Sequence, residues 1–351
     1  MIGRVGALAV ALGVGGGWAA TATAATAHAE GPLDNLRPNV SVSVGGNNVI
    51  RSGSATASSS QGSVAVAVGA NSIATATGGV RNRAVVIGKG SSATAAVGDD
   101  NVATVIGDNS HAFAGNGNGN RVSVTGSNNN VVRASGGSGN KVRVSGQGNT
   151  GIAAGCGGVV SEICSGDGNN VVVSGDGNSS VLAGRGNGNT VNINGDDNEN
   201  LRAESGDGNS IVIEGNGNSD SFTTDGNANT IKVTGDDNSD LRIQPGDENV
   251  INVTGNGNNT VRAGGGDRNR VTIDGNDNVV VELPEEEFAF VGAVTGDDNT
   301  VSVTGDGNAA IASGGNRSAT VNGSGIFAQT NGTTPNVVCT SGSGPGCSLL
   351  P

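Results

Sequence analysis

The sequence predicts an all-β fold, a single-stranded β-solenoid (β-helix) in which coils of about 20 residues stack on one another. Three observations predict it. A Gly-Asx-x-Asn turn recurs at alternating spacings of nine and eleven residues from Gly166 to Gly275. After each turn, apolar and polar residues alternate, which is typical of strands. Glycine contributes 64 of the 351 residues and aromatic residues only 2%, unlike a globular core.

The turn itself has one constant feature, an asparagine at its fourth position. We expect the first-position glycine to supply the unusual dihedrals of the corner. We expect the asparagine to tolerate the left-handed region while its amide bonds to the same asparagine one coil away. The turn asparagines are Asn169, Asn178, Asn189, Asn198, Asn209, Asn218, Asn229, Asn238, Asn249, Asn258, Asn269 and Asn278.

Each half-coil carries a single apolar pair, such as Val171/Val173 or Ile211/Ile213. Two buried side chains cannot offset the entropy lost on ordering a half-coil, so stacking is obligatory. The pairs should then form continuous apolar ladders inside the coil. One half-coil breaks the register, because it places Phe222 where a polar residue is expected.

The N-terminus reads as a secretory signal peptide. Arg4 gives a positive start, Val5 to Val14 form an apolar stretch, and Ala27-His28-Ala29 is a small-x-small cleavage site. We therefore expect export and, after cleavage, no segment that spans a membrane.

The repeat pattern divides the chain into five segments. The tail has the composition of a flexible turn region and is expected to cap the last open strand edge. The segments are a signal peptide (1–29), an N-terminal cap (30–61), an irregular small-residue solenoid (62–114), a regular Gly-Asx-x-Asn solenoid (115–325) and a Gly/Ser-rich tail with a disulfide (326–351).

Two places depart from the regular repeat. From Gly146 to Ser165 the coil length is expected to be kept, with Gly158 in the place of the turn asparagine. From Gly275 to Gly296 the length is nearly kept, but proline, acidic residues and phenylalanines replace the second turn. Either these phenylalanines fill the core of a degenerate coil or the segment is a partner-contact loop. The candidate loop residues are Pro284, Glu285, Glu286, Glu287 and Phe288.

Four cysteines in an exported chain suggest two disulfides. Spacing favours two local pairs. Cys339 and Cys347 enclose a Gly/Ser/Pro segment that turns readily. Cys156 and Cys164 are also eight residues apart, but an extended strand would hold their Cα atoms roughly 25 Å apart, against about 5.5 Å in a disulfide. That pair needs a bulge.

Charge and composition narrow the functional classes. The net charge is −13, and no basic stripe is evident in the sequence, which argues against a nucleic-acid partner. Acidic residues lie mainly at turns, and the predicted mature chain keeps a single imidazole, His111, which we interpret as an incidental surface residue. We therefore expect no catalysis.

Two ligand classes remain as alternatives to a cofactor-free protein. Calcium-binding nonapeptide solenoids have the length of the short half-coil, but their sixth-position aspartate is here an apolar residue such as Val171 or Val191. An ice- or mineral-binding face needs regularly spaced hydroxyls, as at Thr300, Ser302 and Thr304. Equivalent positions elsewhere are charged, at Glu214, Lys232, Arg270 and Asp274.

Two phrases, GNSIVI (208–213) and NSDLRIQ (238–244), resemble the repeats of the curli family of surface proteins. The resemblance covers residues 115 to 314 and implies the same coil geometry. It departs at the glutamine ladder of that family, which is present only as Gln244. Residues 62–115 are similar to the head repeats of trimeric autotransporter adhesins. No coiled-coil stalk follows, so trimerisation is not implied.

These observations favour a secreted structural or adhesive protein of the cell surface or extracellular matrix. Repetition, export and few chemically special residues are what such a role needs. Its expected partners are further copies of itself or other surface and matrix proteins. We expect no cofactor, with calcium as the low-ranked alternative.

Overall fold

The computed structural model of the protein describes residues 38–155, 166–223, 226–243, 250–263, 268, 270–278, 292–295, 299–313, 316–330, 335–342 and 344–349. The chain divides into two units, Met1–Arg37 and Pro38–Pro351, and all described strands belong to the second. These residues form only strands and turns. No helix in the described part of the chain is long and apolar enough to cross a bilayer.

The described strands, numbered β1 to β31 along the chain, alternate between two sides of a stack. The first sheet contains β1 Val40–Val44, β2 Asn47–Ser52, β4 Val64–Val68, β6 Arg83–Ile87, β8 Val102–Ile106, β10 Arg121–Thr125, β12 Lys141–Ser145, β14 Asn170–Ser174, β16 Thr190–Asn194, β18 Ser210–Glu214, β20 Thr230–Thr234, β22 Val250–Thr254, β24 Arg270–Asp274, β26 Thr300–Thr304, β28 Ser318–Asn322 and β30 Asn336–Cys339. The second contains β3 Thr56–Ser59, β5 Ile73–Thr77, β7 Ser92–Ala96, β9 His111–Gly115, β11 Asn130–Ser135, β13 Thr150–Gly155, β15 Ser179–Gly184, β17 Glu199–Glu204, β19 Phe222–Thr223, β21 Arg242–Ile243 and β23 Arg262–Ala263. A third contains β25 Gly292–Thr295, β27 Ala309–Ser313, β29 Ile326–Gln329 and β31 Cys347–Leu349.

The predicted fold class is confirmed. From β4 to β30 the first sheet is parallel and in register, as where Val171 of β14 pairs with Val191 of β16. Each coil places one strand in the first sheet and one on the opposite side. The nine- and eleven-residue halves of the repeat are therefore the two sides of one coil. The third sheet lies on the second-sheet side, since β25 contacts β23.

Upstream of Gly115 the stacking is regular, although the sequence there predicts a looser register. Val64 pairs with Arg83, and Arg83 with Val102, a constant offset of 19 residues. The core is small, because alanines such as Ala65 and Ala84 are fully buried where later coils have valine and isoleucine. A narrower core needs one residue fewer per coil.

The prediction that the two irregular coils keep the regular length is wrong. Lys141 pairs with Asn170, so that coil has 29 residues, and Arg270 pairs with Thr300, so that coil has 30. Each carries about ten extra residues, in segments that include residues 156–165 and 279–291. Both segments lie outside the described residues. Ten residues match half a coil, so the glycine spacing looks unbroken while the phase has changed.

The column of inward apolar side chains that contains Leu201 is interrupted by one polar residue. Leu201, Leu241 and Val261 are fully buried at equivalent positions of successive coils, but the coil between the first two places Ser221 there. The Ser221 hydroxyl is buried and has no hydrogen-bond partner. Phe222 consequently takes the next position, in register with Arg202 and Arg242. The predicted register break is therefore a polar residue in the core ladder.

The N-terminal end of the stack is closed by a strand that reverses direction. Strand β1 runs antiparallel to β4, and its serines, Ser41 and Ser43, face inward and are buried. Their hydroxyls accept hydrogen bonds at 3.0 and 3.1 Å from the backbone N–H groups of Ala57 and Ser59 on β3, the edge of the second sheet. Side chains thus satisfy backbone donors that would otherwise be an open edge.

The C-terminal end also carries an antiparallel strand, while β30 is the last strand of the first sheet. Strand β31 pairs with β29, with Ala328 opposite Cys347. Cys347 is joined by a disulfide to Cys339 on β30, and their Cα atoms are 5.7 Å apart. The expected tail is therefore partly continued solenoid, and its last strand covers the edge of the third sheet.

Candidate interaction surface

The predicted turn asparagines form two buried columns, one at each corner of the coil. In the second column, Asn198 is fully buried, and its Nδ2 donates to Gly215 O at 2.9 Å and to Asn178 Oδ1 at 3.0 Å. Its Oδ1 accepts from the backbone N–H and from Nδ2 of Asn218. Each such asparagine therefore bonds to the coil below and the coil above.

The first corner is held by backbone donors. The N–H groups of Asn189 and Asn209 each donate to the Oδ1 of the asparagine one coil earlier, at 2.8 Å. The prediction that the fourth-position asparagine adopts the left-handed conformation is wrong, since none of the described fourth-position asparagines has a positive φ. The left-handed residue is the third of the turn, as at Gly188 (φ 67°) and Asp197 (φ 55°). Asn249 and Asn269 lie outside the described residues.

The mixture of aspartate and asparagine at the second turn position also has a hydrogen-bond explanation. Asp196 N donates to Asn216 Oδ1, and Asn216 N donates to Asp236 Oδ1, both at 2.7 Å. The position requires one side-chain oxygen that accepts from the preceding coil. Aspartate and asparagine supply that oxygen equally well, so the choice between them adjusts only charge.

Most of the other predicted site residues lie outside the described residues: Cys156, Cys164, Pro284, Glu285, Glu286, Glu287 and Phe288. His111 is exposed on β9, with Nδ1 2.7 Å from Ser92 Oγ. It lines a shallow depression of about 200 Å³ together with Phe113 and Arg133. No group of three or more His, Cys, Asp or Glu side chains in the described part of the chain is arranged to hold a metal ion.

The hydroxyl-bearing residues do face outward but form no long array. Thr300 and Thr304 lie at the two ends of β26, and one coil earlier the same columns contain Arg270 and Asp274. Charged residues also lie on this surface in earlier coils. Lys232 pairs with Val212, and Glu214 pairs with Thr234. The charged residues noted in the sequence therefore lie on the same surface as the hydroxyls.

A different surface stands out on the first sheet, at its N-terminal end. Most outward positions there carry β-branched aliphatic residues, for example Val68, Ile87 and Ile106, which pair in register in one column. Several are substantially exposed: Val44 by 44%, Ile50 by 43% and Ile106 by 45%. We call this surface the apolar face; it comprises Val40, Val42, Val44, Ile50, Val64, Val66, Val68, Ile87, Val102 and Ile106.

Basic side chains continue the same sheet surface. Arg121 of β10 and Lys141 of β12 are adjacent in one column, which also contains Arg83, and Arg143 lies two residues along β12. All four are exposed, and none has an ion pair or side-chain hydrogen bond with another described residue. We call Arg83, Arg121, Lys141 and Arg143 the basic column. Like charges on adjacent strands destabilise a sheet, so this arrangement is unfavourable by itself.

The carboxylate of Asp100 is already engaged by another arginine. Arg81 Nη2 lies 2.7 Å from Asp100 Oδ2 at the neighbouring corner. This hydrogen bond from Arg81 holds the pKa of the Asp100 carboxyl below its usual value, and the charge of Arg121 adds a smaller lowering. Asp100 therefore neutralises Arg81 rather than the basic column.

The sequence interpretation missed this surface. Residues 38–155 contain eight basic and three acidic residues, a net charge of +5 within a chain whose net charge is −13. The statement that no basic stripe exists is wrong, because residues 19 or 20 apart become neighbours when the coils stack. Counting charge by segment, at the coil period, would have found it.

The chain matches no protein-family profile, no curated protein and no solved structure. The similarities to curli repeats and to autotransporter heads therefore remain sequence-based expectations. What can be said of function rests on the surfaces described above.

Proposed function

We propose that this protein is a secreted structural or adhesive element of the cell surface or extracellular matrix, without catalytic activity. The observation that carries the proposal is the continuity of the two asparagine columns and the apolar interior through the described coils. Because the interior is used entirely to hold coils together, the outer sheet faces are left to make contacts.

The ends of the stack support a protein of fixed length. Antiparallel strands β1 and β31 cover the N-terminal end of the stack and the edge of the third sheet, and Ser41 and Ser43 satisfy edge donors at the N-terminal end. At the N-terminal end, a second copy could not continue the parallel register of the first sheet without displacing β1 and β2. This favours contacts through the sheet faces, with other surface molecules or further copies side by side, over end-to-end fibres of the curli kind.

Surface exposure is the outcome that tests this proposal. Antibodies raised against residues 166–223, where the regular coils are best represented, should label intact, unpermeabilised cells of the source organism or detect the chain in the culture medium. A comparison strain lacking the gene controls for specificity. Labelling that requires permeabilisation, with nothing in the medium, would contradict secretion and therefore the proposed role.

A further inference from the structure

We propose that the apolar face and the basic column together form a docking surface for an anionic lipid bilayer. Both surfaces lie on the first sheet, on strands β1, β2, β4, β6, β8, β10 and β12. They meet at β6 and β8, where Arg83 lies beside Val102. The inference goes beyond the proposed function and does not depend on it, because it concerns one surface of the folded stack.

Charge complementarity identifies the sign of the partner. The described outward positions of this sheet from β4 to β12 contain four cations and no carboxylate. In a chain of net charge −13 such segregation is costly unless an anion offsets it. Anionic headgroups attract each nearby lysine or arginine by about 1 kcal/mol, or about fivefold in partition.

The apolar face selects among anionic partners. A soluble polyanion would contact the basic column and gain nothing from neighbouring Val66 and Ile87, which lie on adjacent strands of the apolar face. A bilayer binds both the apolar face and the basic column, because aliphatic side chains enter the interface while cations stay at headgroup level. No described outward residue of β1, β2, β4, β6, β8, β10 or β12 is aromatic, so stacking on sugar rings is not available on this sheet.

Size argues against a second copy of the chain as the occupant. Five strands spaced about 4.8 Å apart and about 17 Å long give a patch of roughly 400 Å². A stable protein interface buries about 800 Å² on each partner. The surface of a bilayer needs no shape match and extends beyond the patch, so it can also engage the basic column.

Vesicle sedimentation tests the proposal. The chain from Glu30 onward retains every described residue and lacks the apolar leader, which would bind lipid by itself. We expect it to bind vesicles of phosphatidylcholine with 40% phosphatidylglycerol at low salt, and pure phosphatidylcholine vesicles at least tenfold more weakly. Absence of binding to the anionic vesicles would overturn the proposal.

Paired substitutions identify the surface. Replacing Arg121 and Lys141 together by glutamine should weaken partition about 25-fold, and Val66→Thr or Ile87→Thr about fourfold each. The matched controls lie further along the same sheet: Lys232→Gln with Arg270→Gln for charge, and Val338→Thr, whose side chain is 70% exposed, for apolar contact. If the controls weaken binding as much as the test variants, the assigned surface is wrong.

Two further outcomes separate other partners. If dextran sulfate abolishes binding while Val66→Thr and Ile87→Thr have no effect, the basic column binds polyanions and the lipid proposal fails. If the chain without vesicles forms a dimer that Ile87→Thr dissociates, the occupant of the apolar face is a second copy, which also overturns the proposal. Circular dichroism of each variant establishes that the coils remain folded.

Discussion

Replacing Asn198 by alanine should destabilise the stack by about 3–5 kcal/mol. The side chain makes four hydrogen bonds, two as donor and two as acceptor, to the coils on either side of its own. Alanine would leave Gly215 O and the Asn218 N–H buried without partners, at about 1–3 kcal/mol for each group. Urea denaturation followed by circular dichroism measures the loss.

Two variants control this experiment. Asn192→Ala removes an exposed asparagine on β16 and should change the free energy of unfolding by less than about 0.5 kcal/mol. Asn198→Ser should cost less than Asn198→Ala, because Ser110 occupies the same column upstream, accepting from Asn129 N at 3.1 Å and donating to Gly126 O at 2.9 Å. Equal effects of Asn198→Ala and Asn192→Ala would show that the buried column does not hold the coils together.

Replacing Gly195 by alanine should destabilise the stack by about 3 kcal/mol or more. An added Cβ would lie 1.9 Å from Gly215 O, a backbone atom of the next coil, so neither coil can move without breaking its own pairing. The residue also has a φ of +153°, a backbone conformation that residues other than glycine rarely adopt. The urea midpoint of the variant measures the effect.

A glycine at the third position of a turn, Gly188, provides the matched control for Gly195. Gly188 also has a positive φ, but an added Cβ there meets nothing within 4 Å, and Asp197 adopts the same conformation at the equivalent position. Gly188→Asp should therefore change the free energy of unfolding by less than about 1 kcal/mol. A stable Gly195→Ala variant would mean that adjacent corners are further apart than the structure places them.

The coil could be predicted from the sequence because one arrangement is repeated many times. The alternation of Val171 and Val173 fixes which side chains face inward, and the same choice recurs in every following coil. The asparagine contact between coils could also be predicted. Which residue is left-handed could not, because Gly188 and Asp197 share a position that the sequence fills with several residue types.

The extra residues were missed for an arithmetic reason. Gly146 and Gly166 are 20 residues apart, as if one regular coil separated them. They belong to opposite corners, since a Cβ on Gly146 would contact Gly175 O and one on Gly166 would contact Gly186 O. An insertion as long as half a coil cannot be detected by spacing. It becomes visible only from the pairing of β12 with β14.

The candidate surface was missed because it is defined across coils. Arg121 and Lys141 are isolated charges in the sequence and neighbours in the sheet. Caps at both ends were expected, but their antiparallel form could not be predicted for a similar reason. The alternation of Val40–Val44 resembles any other strand, but its serines face inward because the strand runs antiparallel.

The central claim is that hydrogen bonds within the chain hold the coils, that no bound ion is needed, and that an antiparallel strand lies at each end of the stack. Sedimentation velocity of the chain from Glu30 onward tests it most directly, in two conditions. One contains about 5 mM calcium, enough to fill sites with the affinity of extracellular calcium modules, and the other contains a chelator instead. We predict a single monomeric species with the same sedimentation coefficient in both conditions. Fibres or large assemblies, or a coefficient that changes with calcium, would contradict the account.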